Sequence, residues 1–241
     1  TWNIHGTSVW DRDERFPIIR DAIEKYQPDI ACIQEAFFQK SRSMLASLNE
    51  YYVSRELNLF PPLTTKGGLV TLTKAKPLEV SFHPYQSQGN IFTEQKWDKL
   101  IGKGFLETII EDQRFGKITV INTHMVCTYT DGIDGYLERQ TDQLLQNIQK
   151  HKEDGERIIV AGDFNFRRES KLYPKFRESL HDATEGLGDY LGNPRLSEDK
   201  MVDYIFLEDK FPCQADYLYH DPFQIRPSDH PGIYVDIKLD R

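Results

Sequence analysis

Asp163 and Asn165 place a carboxylate and a carboxamide two residues apart, directly after an apolar stretch of strand length at residues 157–161. That stretch is rich in β-branched residues and is followed by Gly162, a pattern typical of a buried strand. Residues two apart on an extended backbone point to the same side, so both side chains would face one way if the chain stays extended past Gly162. Such a pair could bind a ligand at a sheet rim. Alternatively, Asp and Asn only start a turn here, as they often do.

Four more segments place polar residues of the same kinds at, or one step from, the end of a strand-like stretch. They are Asn3, Glu35, His124 and the adjacent pair Asp229 and His230. None has a neighbouring cysteine, so the available donors are oxygen and imidazole nitrogen. Oxygen donors suit a hard cation, magnesium or its substitute manganese, better than zinc. Each residue alone could cap a turn, but together they indicate one site that holds a divalent cation.

The segments that carry these residues alternate between strand-like and helix-like patterns. Residues 11–27 repeat apolar side chains at helical spacing, with Pro17 near the first turn, where proline is tolerated. Further helices are predicted at residues 40–49, 136–150 and 171–180. Strands are predicted at residues 1–5, 29–35, 51–55, 67–73, 77–85, 105–110, 117–122, 157–161, 202–207 and 232–239. Residues 181–201 are predicted to be a long loop. No repeat or linker interrupts this α/β pattern, so we predict one domain over residues 1–241.

Composition narrows the class of protein. The chain has 241 residues, 39% hydrophobic and 28% charged, as in a globular protein that buries a core without a disulfide or metal staple. A formal net charge of −8 argues against an extended basic face that wraps a polyanion, although a local basic cleft stays open. No apolar run is long enough to span a bilayer. Cys32, Cys127 and Cys213 form neither a zinc pattern nor a disulfide framework, and we expect Cys32 to be a core residue.

The beginning of the sequence bears on location. It starts Thr1-Trp2-Asn3-Ile4, without methionine and within a strand-like stretch. We expect that the chain starts inside a first strand, from which an address sequence could have been removed. The sequence therefore assigns no compartment, and a cytoplasmic and a secreted location both remain open.

Six short motifs span nearly the whole chain in a fixed order. They are Thr1-Trp2-Asn3-Ile4, Ile33-Gln34-Glu35, Asn122-Thr123-His124, Gly162-Asp163-Phe164-Asn165, Asp203-Tyr204-Ile205 and Ser228-Asp229-His230. In kind and order they resemble the endonuclease/exonuclease/phosphatase superfamily, the deoxyribonuclease I-like phosphoesterases. The resemblance implies a four-layer α/β sandwich, with two packed mixed β-sheets flanked by helices. It also implies magnesium-dependent hydrolysis of a phosphate ester.

The middle of the chain is most similar to the neutral sphingomyelinase branch of that superfamily. The features that carry this likeness are residues 67–73 and the segment Gly102-Lys103-Gly104-Phe105, which follows Asp98. In that branch a lysine–glycine pair, with an acid five residues upstream, precedes the strand that corresponds to residues 105–110.

The resemblance implies roles for the residues that would bind the cation. Glu35 is the main magnesium ligand, with Asn3 nearby in the same shell. Asp229 and Asn165 fix the water or a second cation. Asp163 orients the water, ligates metal or accepts the proton, and the sequence does not choose among these. Whether one or two metal ions take part in turnover is also left open.

Acid–base roles fall to other residues. His230 is the expected general base, because an imidazole with a near-neutral pKa suits removal of a proton from water. Asp203 would orient that ring, as carboxylates do in other catalytic dyads. His124 would lie across the phosphate and donate a hydrogen bond or proton to it. Lys103 would add positive charge, or else be a solvated surface lysine. The other histidines are expected to be ordinary: His5, His83, His151, His181 and His220.

The expected substrate is a phosphate ester, preferentially a membrane phospholipid head group such as that of sphingomyelin. Residues 57–63 are apolar and broken by proline, which suits either a loop folded onto the core or an exposed lip for peripheral membrane contact. The alternatives are a nuclease or DNA-repair phosphodiesterase, with nucleic acid as substrate, an inositol-phosphate phosphatase, and a non-catalytic binding module. A nuclease needs basic residues beside the site, and Arg167, Arg168 and Lys171 are the only such cluster. No obligate protein partner is evident.

Overall fold

Two mixed β-sheets form the centre of the molecule. The computed structural model describes residues 1–7, 12–58, 65–89, 101–127, 135–188, 201–218 and 227–238. The strands of the first sheet are β1 Trp2–Asn3, β2 Ile30–Gln34, β3 Tyr52–Ser54 and β4 Val70–Thr73. The strands of the second are β5 Pro77–Pro84, β6 Gly104–Asp112, β7 Gly116–His124, β8 Arg157–Asp163, β9 His181–Asp182 and β10 Asp203–Leu207. Their spatial orders are β1-β2-β4-β3 and β5-β6-β7-β8-β10-β9.

Each sheet contains one parallel pair among antiparallel ones. β1 runs parallel to β2, and β7 runs parallel to β8. A further antiparallel pair consists of β11 Cys213–Tyr217 and β12 Ile233–Ile237. The helices are α1 Arg12–Tyr26, α2 Gln39–Ala46, α3 Gly135–Glu153 and α4 Tyr173–Arg177. No helix in the described part of the chain is long and apolar enough to cross a membrane.

Three apolar clusters correspond to three interfaces between four layers. The buried side of α1, including Phe16, Ile19 and Ile23, packs with Leu45 of α2 on the first sheet. The buried side of α3 and Phe176 of α4 pack on the second sheet. Between the sheets lies a third cluster: Cys32, Ile110, Ile118, Val120 and Ala161. Because strands buried on both faces need apolar residues at successive positions, this arrangement explains the continuous apolar runs in the sequence. The predicted four-layer α/β sandwich is confirmed.

The buried carboxamide of Asn122 joins the two sheets near the edge at which β7 ends. Asn122 of β7 donates through Nδ2 to the carbonyls of Ile33 (3.1 Å) and Val70 (3.0 Å) in the first sheet. Its Oδ1 accepts a hydrogen bond from Nε2 of Gln34 at 2.8 Å. Since an unpaired buried amide would be costly, these contacts favour one relative position of the two sheets.

Several local predictions differ from the structure. Gly67 and Gly68, expected in a strand, form a tight turn with Lys66, because their left-handed φ values of 58° and 66° are incompatible with a strand. His181 lies in β9 rather than in a loop. β11 was not predicted, although Cys213, Ala215 and Tyr217 alternate with the polar residues Gln214 and Asp216. Cys32 is buried, as expected. Asp98, His220 and residues 59–63 of the expected apolar lip lie outside the described residues, and Leu57 is 49% exposed.

An ion-pair network fastens α3 to the outer face of the second sheet. Glu107 of β6 lies 3.2 Å from Nε2 of His83 and 3.3 Å from Nε2 of His151. Nδ1 of His151 lies 2.7 Å from Glu156. Burial alone would raise the pKa of Glu107, but the hydrogen bonds to His151 and His83 hold it well below its usual value. The hydrogen bond to Glu107 in turn raises the pKa of His151.

His151→Gln is expected to lower the melting temperature more at pH 6 than at pH 9. A histidine with a raised folded-state pKa contributes stability that is complete below its unfolded pKa and is lost as pH rises through the folded value. We expect a difference of about 2–4 °C at pH 6, the shift that about 1 kcal/mol gives at this chain length. Thermal unfolding at both pH values measures it, with His181→Gln as control. An equal loss at both pH values would contradict the charged pair.

Candidate active site

Four polar residues lie in a row across the functional edge of the second sheet. Asp163 at the end of β8 is in register with His124 at the end of β7 and with Asp203 at the start of β10. His124 of β7 is in register with Gly104 of β6. Lys103 directly precedes Gly104 and is the fourth polar residue of the row. Strand pairing alone therefore brings together residues that are up to 100 positions apart in the chain.

The first sheet adds Asn3 and Glu35 next to the row formed by Lys103, His124, Asp163 and Asp203. We call the place where these six residues meet the mouth of the site. β1 and β2 are parallel, so their carboxyl ends meet at one edge. Nδ2 of Asn3 donates to Oε1 of Glu35 at 3.2 Å and to Oδ2 of Asp163 at 3.0 Å. Asn3 thus directly joins a carboxylate of one sheet to a carboxylate of the other.

Glu35 is held in an uncommon backbone conformation. Its φ is 60°, in the left-handed region that non-glycine residues seldom occupy. Gly6 packs so closely over it that a Cβ there would lie 2.0 Å from the carbonyl oxygen of Glu35. Oγ1 of Thr7 donates to Oε2 of Glu35 at 2.8 Å. Burial would raise the pKa of Glu35, but the charges of His124 and Lys103 and these hydrogen bonds lower it, so the carboxylate stays ionised.

The chain stays extended to Asp163, the last residue of β8, and then turns, so the expectation that Asp163 and Asn165 face the same way, which required an extended chain between them, is not met. Asn165 has φ 53°, and its backbone N–H donates to Oδ1 of Asp163 at 3.0 Å. Nδ2 of Asn165 donates to the carbonyl of Met125 at 2.9 Å. The two residues therefore form an Asx-type turn, which fixes the carboxylate of Asp163 at the edge of the sheet.

His230 and Asp203 form a dyad beside Asp163. Nδ1 of His230 lies 2.7 Å from Oδ2 of Asp203, and Nε2 lies 3.8 Å from Oδ2 of Asp163. Although burial would lower the pKa of His230, the charges of Asp203 and Asp163 raise it well above its usual value. Burial raises the pKa of Asp203. Burial would also raise the pKa of Asp163, but the charges of His230 and His124 lower it.

Lys103 is buried, so the alternative of a solvated surface lysine is wrong. Its side chain is enclosed with only 2% of the residue exposed, and Nζ contacts Nε2 of His124. That same nitrogen lies 3.3 Å from Oδ2 of Asp163. A ring nitrogen accepts from an ammonium or donates to a carboxylate, but not both at once. Nε2 of His124 therefore makes one of these two hydrogen bonds at a time, with Lys103 as its donor or Asp163 as its acceptor.

His5 lies at the site, although the sequence suggested an ordinary histidine. Its Nδ1 lies 2.6 Å from Oδ1 of Asp229, and this hydrogen bond raises the pKa of His5. Burial would raise the pKa of Asp229, but the same contact lowers it. The available signal was position, because His5 is two residues from Asn3 in one motif. A histidine with φ 48° after a strand could not be recognised from sequence.

The donors in the mouth suit a hard divalent cation. Glu35 and Asp163 are both ionised and face one amide group, which gives an oxygen-rich setting. Asn3 donates through Nδ2 to both carboxylates, and its Oδ1 accepts a hydrogen bond from the backbone N–H of His5 at 3.0 Å. The role of Asn3 as a metal ligand therefore stays a prediction.

A second group of metal-type ligands overlaps the dyad. Single ligand atoms of Asp163, Asp203 and His230 lie within 4.8 Å of one another. The 2.7 Å contact in the dyad already occupies Nδ1 of His230. We therefore favour Glu35 over this group as the centre of cation binding.

Comparison with known proteins places this geometry in a family. The model of the endonuclease/exonuclease/phosphatase family matches residues 1–230. The chain belongs to that family. The relationship inferred from the six motifs is confirmed. Family enzymes generally depend on a divalent metal.

A curated relative is the inositol phosphosphingolipids phospholipase C of Schizosaccharomyces pombe. It is 28% identical over 173 residues, which are 69% of this chain and 39% of that protein. This chain therefore aligns with well under half the length of that relative.

Solved structures share the fold. Beta toxin from Staphylococcus aureus has a TM-score of 0.76 at 17% identity, covering 98% of both chains. SmcL has a TM-score of 0.74 at 18% identity, covering 98% of this chain and 97% of its own. D. rerio TDP2, complexed with a single-strand DNA product, has a TM-score of 0.69 at 19% identity and covers 98% and 96%.

Proposed function

We propose that this protein is a magnesium-dependent phosphodiesterase that hydrolyses a phospholipid head group by in-line attack of water. The observation that carries this proposal is the meeting of Glu35, from one sheet, with the row from His124 to Asp203 of the other, through Asn3. Both sheets supply residues to this mouth, and we therefore propose that residues 1–241 form one catalytic domain.

Glu35 would hold the cation, with Asn3 and Asp229 as its neighbours. A bound magnesium ion, or manganese in its place, would neutralise charge on a non-bridging phosphate oxygen. Asp229 retains Oδ2 for this purpose, because Oδ1 is paired with His5. The number of cations in turnover is a separate question that this assignment leaves open.

His230 would accept the proton of the attacking water through Nε2. Asp203 binds Nδ1, which fixes the ring orientation and places the basic nitrogen on the side of Asp163. Asp163 carries a negative charge next to that nitrogen and would stabilise the imidazolium as it forms. Asn165 supports this function by fixing the carboxylate of Asp163 through its backbone N–H.

His124 and Lys103 would bind the phosphate from the other end of the row. Both side chains are buried, and Nζ of Lys103 contacts Nε2 of His124. When phosphate enters, the Lys103 ammonium can donate to it directly, which would release Nε2 of His124 to donate to the phosphate when that nitrogen carries a proton. The Lys103 ammonium would thus place positive charge beside the phosphate, where negative charge accumulates as water attacks.

Surface charge favours a lipid over a nucleic acid. Arg168, part of the basic cluster that follows Asn165 in the sequence, directs its guanidinium inward to the carbonyls of Leu187 (2.7 Å) and Thr184 (2.6 Å). Lys171 pairs with Glu138. A nuclease needs such side chains on phosphates, and these are engaged elsewhere. The relative from Schizosaccharomyces pombe is a phospholipase C of inositol phosphosphingolipids, which also supports a sphingolipid as the substrate.

Leu57 and Asn58 are the described residues of the proposed membrane-contacting lip. Leu57 is 49% exposed and forms an isolated antiparallel bridge with Thr65. Peripheral contact with a bilayer through residues 57–63 is therefore part of the proposal.

One assay panel tests the substrate. The purified protein is incubated with magnesium or EDTA and one of five substrates: vesicles of sphingomyelin, of an inositol phosphosphingolipid or of phosphatidylcholine, plasmid DNA, and an inositol polyphosphate. We expect magnesium-dependent release of a phosphorylated head group from the sphingolipid vesicles. Cleavage of DNA alone would support the nuclease alternative. Turnover of the inositol polyphosphate alone would support a phosphatase, and no turnover at all a binding module.

A further inference from the structure

Arg15 is a buried arginine of α1. The residue is 7% exposed, and its guanidinium points toward backbone carbonyls. Nη1 donates to the carbonyls of Pro227 at 2.8 Å and of Ile4 at 3.2 Å. Nη2 donates to the carbonyl of His5 at 3.2 Å. One side chain therefore binds two segments that are more than 200 residues apart in sequence.

These carbonyls belong to the two loops that complete the site. Residues 4–7 follow β1 and include Thr7, which holds Glu35, and His5, which holds Asp229. Residues 227–230 include Asp229 and His230. A direct hydrogen bond from Oγ of Ser228 to the carbonyl of Asn3, at 2.6 Å, lies at the same junction. Arg15 thus lies where the cation-binding half of the site meets the half that carries the base.

The chemistry of the side chain suits this position. A guanidinium has five N–H donors in a rigid planar fork and can bind several carbonyls at fixed angles. A lysine ammonium is a compact charge on a flexible stem, so it cannot fix the same geometry. Burying a charged group is costly unless its donors are satisfied, and three carbonyls satisfy them here.

We propose that Arg15 is a positioning residue for hydrolysis, which sets the separation between Glu35 and His230. It acts through the two loops and does not touch the substrate. This inference rests on the proposed function. It adds that misplacement of the loops reduces the rate constant of the chemical step more than substrate affinity, because misplacing catalytic groups by about 1 Å can cost about 10²-fold in rate.

The test compares Arg15→Met and Arg15→Lys with Arg20→Met. Arg20 is on the same helix but exposed, where it pairs with Asp21, so its loss should change neither activity nor stability. For Arg15→Met we expect kcat to fall by about 10- to 100-fold with KM within about twofold. Arg15→Lys should recover only part of the loss. Rates are measured well below each melting temperature, so that every variant is folded.

Arg15→Ala adds a chemical rescue. The substitution leaves a space that a free guanidinium ion can enter, at concentrations far below those that unfold proteins. We expect guanidinium chloride to restore part of kcat in Arg15→Ala but not to stimulate the wild type or Arg20→Met. Sodium chloride and urea at the same concentration should have no such effect.

Two outcomes would overturn the inference. The first is a lower melting temperature in Arg15→Met with unchanged kcat per folded molecule. The second comes from hydrogen exchange, which is independent of activity: we expect faster exchange at residues 4–7 and 227–232 in Arg15→Met, and unchanged exchange there contradicts the inference. If the wild type hydrolyses no substrate, the proposed function fails, while hydrogen exchange still decides whether Arg15 positions the loops.

Discussion

Glu35→Gln is expected to reduce magnesium-dependent turnover by about 10³-fold or more, because charge stabilisation by a bound cation contributes several kcal/mol. Glutamine keeps the size of the side chain but loses the negative charge that would bind magnesium. Asn3 can still donate to its carbonyl oxygen, and the Thr7 hydroxyl can accept from its amide N–H, so we expect the fold to stay intact. Steady-state rates over a range of magnesium concentrations, together with calorimetric magnesium binding, measure the effect.

Glu138→Gln is the matched control, because Glu138 lies on α3 and pairs with surface lysines away from the mouth. It should retain wild-type rates and magnesium affinity. If Glu35→Gln binds magnesium as the wild type does, Glu35 is not the main ligand. The group formed by Asp163, Asp203 and His230 would then become the better candidate for cation binding.

His230→Ala is expected to lower kcat by about 10²- to 10⁴-fold, the usual contribution of a general base. A base works when deprotonated, so wild-type activity should rise with pH through the pKa of His230. The charges of Asp203 and Asp163 raise that pKa, which places the rise above pH 6.5 in the protein without bound cation. Removing the ring should leave a low rate without this rise. A pH–rate profile of both proteins measures the result.

Asp203→Asn separates the base from its partner. It removes a negative charge next to His230 and should move the rise of the pH–rate profile to lower pH while decreasing kcat. His83→Ala is the control, since that ring lies on the outer face of the second sheet. Wild-type rates in His230→Ala would exclude His230 as the base. An unmoved profile in Asp203→Asn would show that the dyad does not set its pKa.

The arrangement of the fold could be predicted because its signals are local. Apolar runs that end on a polar residue marked the strands that carry Glu35, His124 and Asp163, and the structure places all three at one mouth. Six motifs in order also carried the family relationship, since each motif is short but their order is specific.

The details of the site depend on contacts that sequence does not display. The turn at Asn165 forms because its N–H can reach Asp163, a geometry the extended pattern did not indicate. The pairing of His5 with Asp229 joins residues from opposite ends of the sequence. Arg15 precedes Ile19 and Ala22 by four and seven residues, which places it on the buried side of α1, but the sequence does not show that its partners are the carbonyls of residues 4, 5 and 227. Such features arise only from tertiary packing.

The junction between residues 1–5 and 228–233 has a consequence for the order of folding. Nε1 of Trp2 donates to the carbonyl of His230, and the nitrogen of Thr1 donates to the carbonyl of Ile233. During synthesis, the first strand emerges long before its partners, and contacts of such sequence separation form slowly. Nascent chains should therefore acquire hydrolytic competence last, after both layers have consolidated. Recovery of activity in refolding experiments would accordingly lag behind recovery of secondary structure.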